Sequence, residues 1–272
     1  MSTSAYFPES FLLLQQEGYL IRSCLATGLT QLRKAHVHNK GELYSALFNL
    51  SIGTERLMKA IMIIHHMLNN DLAVPTRVQL KGCGHDIKTL YSKCVAISSN
   101  EKAHVPAIST LDSTTREIVE LLSEFAQSTR YHNLDALCSS ASGKDPLQHI
   151  NEILRMVIDG DVPASSARRI SELRKRLASD MGDCFMIIAQ GLDGSDLTLE
   201  QGLVLPALHE KAVPYIIVRL IQLLAPIKEL IECLCDKAYK LSLSQPPFPQ
   251  MHEFVNFLGV DLKYALHKKR WP

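Results

Sequence analysis

Apolar residues recur at every third or fourth position through nearly the whole chain, and no sustained alternation of apolar and polar residues interrupts them. A helix buries one stripe at that period, whereas a half-buried strand needs a period of two. The pattern therefore confines the chain to an all-α fold.

The first stretch runs from Glu9 to about Ala35. Leu13, Leu20, Cys24, Leu25, Leu29 and Leu32 form its expected apolar side, and Gly18 is an expected kink. A connection over His36 to Gly41 leads to a second long helix, Glu42 to Leu68. Within it Glu55 and Lys59 stand four apart, in the favourable order for a helical ion pair. Asn69 to Gly84 reads as a loop, and His85 to about Ile97 as a short helix. Asp112 or Ser113 is placed to cap a fourth helix carrying Ile118, Leu122 and Phe125, which continues or ends over Thr129 to Leu137.

The small polar run Ser139 to Gly143 is the best boundary in the chain. It separates a helical bundle over residues 9–140 from a second helical region over 144–245, followed by a Pro-containing tail, 246–272, with a short helix and a basic end. In the second region Asp145-Pro146 opens a helix that Gly160 and Pro163 break. Ser165 or Ser166 starts another, reaching about Ala189. Gly191 to Gly202 reads as a loop. The last long helix is expected from near Pro214 to near Leu241, kinked at Pro226.

Composition excludes several functions. Across 272 residues the formal net charge is +1, so no global field draws the chain to nucleic acid or membrane. Aromatic content of 6% argues against a broad base-stacking platform. The apolar run Val213 to Leu224 is broken by Pro214, Arg219 and Gln222, too short and polar to span a bilayer. Pro8 and Glu9, with no basic residues before them, do not suit a signal peptide. Seven irregularly spaced cysteines without Cys-x-x-Cys suit reduced thiols, and a cytosolic location is expected.

No Walker loop, dinucleotide-binding glycine pattern or Gly-x-Ser-x-Gly elbow is present. His65 and His66 diverge on a helix, with Asn69 and Asn70 at the following i+4 positions, so neither metal nor cofactor is expected. Arg168, Arg169, Arg174, Lys175 and Arg176 form the densest basic run. Ile170, Leu173 and Leu177 are the expected buried stripe of that helix, which leaves the cations for solvent, an anion or RNA.

Three segments in order, Glu55-Arg56-Leu57-Met58-Lys59-Ala60, Gly84-His85-Asp86-Ile87 and Thr129-Arg130-Tyr131-His132-Asn133, resemble the higher-eukaryote-and-prokaryote nucleotide-binding (HEPN) superfamily. The resemblance covers about residues 9–140 and implies a bundle of four or five helices. Many such proteins are metal-independent ribonucleases of toxin–antitoxin and antiviral defence systems. They act as homodimers, with an arginine followed by a histidine after four to six intervening residues. Arg130 matches the arginine. Asp135, Ala136 and Leu137 occupy the histidine positions, and His132 comes too early. The resemblance thus implies an RNA- or nucleotide-associated, or protein-partner-binding, module. An endoribonuclease using Arg130 with His132 or Asn133 is the alternative, and a structural adaptor for a protein partner is a third reading.

Overall fold

The computed structural model describes residues 7–139, 143–182, 189–241 and 245–272. Side-chain caps set many of its helix starts. Asp86, Asp112, Asp145 and Asp261 each accept a backbone N–H from the first turn they precede. Thr76 and Thr198 form capping boxes with Gln79 and Gln201.

The α-helices are α1 (Glu9–Leu32), α2 (Lys40–Asn69), α3 (Arg77–Lys81), α4 (Ile87–Ser98), α5 (Ser113–Gln127), α6 (His132–Leu137), α7 (Pro146–Gly160), α8 (Ala164–Met181), α9 (Leu199–Tyr239) and α10 (Leu262–His267). Short 3-10 segments cover Ile108–Thr110, Thr129–Tyr131 and Met251–Gly259. Helix makes up 74% of the chain and no strand forms among the described residues, so the all-α class holds.

α1 and α2 pack as an antiparallel pair whose backbones meet at two glycines. A Cβ on Gly28 would lie 2.7 Å from Leu50, and one on Gly53 would lie 2.8 Å from Leu25. Glycine is what permits that approach. The buried face of α1 follows Phe11, Leu14, Gly18, Ile21, Leu25 and Leu29. Leu13 and Leu20, expected in the core, are instead exposed. The helix runs unbroken through Gly18, and the Phe254 ring covers that residue, 2.4 Å from where a Cβ would be.

The 41-residue α9 is the central post, packing against α2, α4, α5, α7, α8 and α10. It begins fifteen residues before the expected start, because the Thr198 capping box outweighs the prolines. Pro206, Pro214 and Pro226 all lie inside it. Each removes one hydrogen bond, and tertiary burial of the flanking Val213, Ile216 and Ile227 holds the helix together.

The buried apolar residues form one continuous cluster, from Leu14 of α1 through Leu220 of α9 to Trp271. Met58 and Met67 of α2 are in it, and Ile63 packs against it. Met58, Ile63 and Met67 are thus covered from within the chain, whereas Phe48 of α2 stays 49% exposed. Arg219 of α9 ties two helix ends together, donating to both Asp161 oxygens at 2.6 and 2.7 Å and to Asp112 at 2.6 Å.

Among the described residues no helix is long and apolar enough to cross a membrane. The described cysteines are all free thiols. Cys184, the expected stretch of α8 towards Ala189, and Ser140 to Ser142 of the expected boundary lie outside the described residues.

Candidate functional site

The groove around Arg130 arises where α5 stops. Ser128 leaves helical geometry, with φ −143° and ψ −47°, after which a single 3-10 turn, Thr129–Tyr131, leads into α6. This turn points Arg130 and Tyr131 outward instead of continuing the core-facing stripe of α5. The Arg130 guanidinium stands 5.1 Å from the centre of the Tyr131 ring, and Tyr131 is 54% exposed.

α2 supplies the opposite wall with Tyr44, Ser45 and Phe48, and Phe125 lies between, in a shallow concavity of about 540 Å³. Asn133 donates to the Tyr44 hydroxyl at 2.9 Å, fixing one wall to the other. Burial pushes the Tyr44 phenol up, so it stays neutral and polar. Leu134 and Phe48 complete the rim, 62% and 49% exposed.

The three residues singled out from sequence part company here. Arg130 and Asn133 line the same groove, whereas His132 does not. The His132 Nδ1 is buried and has no hydrogen-bond partner. Arg130 forms no ion pair among the described residues, and Glu55 is engaged elsewhere. Glu55 accepts from Lys59 at 2.7 Å and pairs with His85 Nδ1 at 2.9 Å. The first two of the quoted segments therefore touch directly through Glu55 and His85. Asp86 caps α4, as its position at a helix start suggests, and also accepts from Ser123 of α5.

No family model matches this chain, and no curated protein or solved structure matches it either.

The basic run on α8 is placed differently from expectation. Only Ala178 of α8 is fully buried, while Leu173 and Leu177 are 65% and 41% exposed. The expected stripe is thus half on the surface, because α8 lies on the outside of α9 and, among the described residues, no second helix covers Leu173 and Leu177. Lys175 pairs with Glu200 at 3.2 Å. Arg174 lines a separate cleft with Arg33 and Glu210. Arg168, Arg169 and Arg176 remain exposed and without an ion pair among the described residues. The five cations spread around the helix rather than converging on one point.

Sequence reasoning missed Tyr44 and Phe48, and quoted Tyr131 without giving it a role. The available signal was the i, i+4 pair Tyr44 and Phe48, which sits off the Leu43–Leu47–Leu50 stripe of α2. Among the described residues no group of three His, Cys, Asp or Glu side chains is arranged to hold a metal ion.

Proposed function

We propose that this chain is a HEPN-like helical module that binds single-stranded RNA or a nucleotide in the Arg130 groove without cleaving it. The observation that carries this reading is the exposed Arg130–Tyr131 stack facing Phe48 across a shallow groove. A free guanidinium offers a fixed fork of donors to a phosphate. Exposed aromatic faces give a base somewhere to stack, worth about 1–3 kcal/mol per base. The Arg168 to Arg176 surface adds sequence-independent attraction for a longer strand. A prokaryotic defence setting, a cytoplasmic location and a homodimer belong to this proposal through the family resemblance.

Binding is favoured over cleavage by the position of His132. A general acid or base must reach the scissile group. This imidazole lies outside the groove wall with Nδ1 buried. A protein partner is the second reading, favoured by Leu134 and Leu137, 62% and 83% exposed on α6.

The test is fluorescence anisotropy with a labelled single-stranded RNA, with the same samples run on a gel for fragments. Arg130→Ala should weaken binding by about 1.5–3 kcal/mol, the value of one charge-assisted phosphate contact, with melting temperature unchanged. His132→Ala should bind as the parent does, and no fragments should form. Equal affinity of Arg130→Ala and parent would overturn the RNA reading. Fragments that disappear in His132→Ala would establish the ribonuclease instead.

A further inference from the structure

A second concavity, away from the Arg130 groove, is larger at about 830 Å³. That is within the range of small-molecule sites, roughly 300–1,000 Å³. It lies between the N-terminal half of α1, the last turns of α9 and the Pro246–Pro249 strap.

Its walls are built from aromatic rings. Gly18, lacking a Cβ, lets the Phe254 ring lie directly on the α1 backbone. Phe254 then meets Tyr19 edge-on at 5.0 Å. Phe11, Tyr239 and Phe248 close the other sides. Flat apolar walls of this kind suit a planar ring system.

Gln15, Arg22, Gln245, Gln250 and Glu253 interrupt the apolar lining. Arg22 of α1 is exposed and makes no ion pair or side-chain hydrogen bond among the described residues. Gln250 lines the cavity, and its Oε1 is buried and has no hydrogen-bond partner. A buried acceptor left unpaired is unfavourable, and a ligand N–H or O–H would satisfy it. Glu253 stands on the same wall. Its carboxylate disfavours a polyanion, so Arg22 suits a ligand with a single negative group.

We propose that this cavity binds a small planar aromatic monoanion carrying an N–H or O–H donor. The anion pairs with Arg22 and the donor reaches Gln250. The inference is independent of the RNA reading, because the two concavities share no residue.

The test is fluorescence titration of the full chain with 8-anilinonaphthalene-1-sulfonate, which combines a fused aromatic body, one sulfonate and one N–H. The expected result is saturable binding at one site per chain. Arg22→Ala should weaken it about tenfold, and Gln250→Leu several-fold. Gln15→Trp, on a partly exposed wall position of α1, should fill the cavity and abolish binding. Arg130→Ala should bind the dye as the parent does. Circular dichroism and melting of each variant keep loss of fold separate from loss of the site. Parent-like binding by folded Arg22→Ala and Gln15→Trp, or binding that does not saturate, would overturn the proposal.

Discussion

Lowering the pH should unfold this protein in part through one histidine, His209. It lies on α9, 2% exposed, and its Nδ1 has no hydrogen-bond partner. Burial pushes its pKa down to about 4, and the positive potential of His36, Arg155 and His38 adds to the effect. His36 and His38 sit in the connection between α1 and α2, and Arg155 on α7. Protonating His209 would place a cation inside the core, with basic neighbours from two other elements. The folded pKa lies below the unfolded value of about 6.5. The neutral ring's contribution is therefore complete above pH 6.5 and is lost as pH falls towards 4. A displacement from 6.5 to about 4 corresponds to about 3 kcal/mol when fully expressed, and to about 2 kcal/mol at pH 5. Urea unfolding at pH 7.5 and pH 5.0, on the parent and on His209→Gln, measures it. The glutamine shifts stability at both pH values but cannot titrate. The parent should lose about 2 kcal/mol more than the variant between the two pH values. Parallel losses in parent and variant would refute the argument.

Three further outcomes follow from the packing. Gly28→Ala and Gly53→Ala should each lower the melting temperature, since the new methyl would meet a leucine side chain within 3 Å and that leucine's backbone nitrogen at 3.0 Å. Overpacking costs about 1–3 kcal/mol, only partly offset by the roughly 1 kcal/mol helix preference for alanine. Gly160→Ala, with nothing within 4 Å, is the control and should leave melting unchanged or slightly raised. Arg219→Met should destabilise by about 2–4 kcal/mol in urea unfolding, because it strands Asp112 and Asp161 together at the ends of α5 and α7. A loss below about 0.5 kcal/mol would mean that solvent already screens this cluster.

The helical class was legible in the sequence because hydrophobic period is a local property. Caps at Asp86, Asp112 and Asp145 were legible for the same reason: a short side-chain acceptor just before a helix meets its own first turn. The Glu55–Lys59 pair needed only the helical repeat. Arg130 and Asn133 could be singled out, but their groove could not, because Tyr44 and Phe48 come from a helix about ninety residues earlier.

Tertiary structure decided which side of each helix faces inward. On α1 the seam follows Gly18, Gly28 and their neighbours, so a count of large apolar residues pointed to Leu13 and Leu20 instead. A glycine carries no hydrophobic signal, yet it allows the closest backbone approach and so fixes the packing geometry. On α8 the sequence offers a plausible stripe, but among the described residues no helix lies over it, and Leu173 stays exposed. In α9 the prolines suggest breaks, while burial along the central post holds the helix through them. The burial of His209 was likewise beyond local reading, since its surroundings are assembled from α7, α9 and the connection after α1. Periodicity and capping act within a few residues along the chain. The facing partner, and with it burial, charge environment and groove, is set by contacts between residues far apart in sequence.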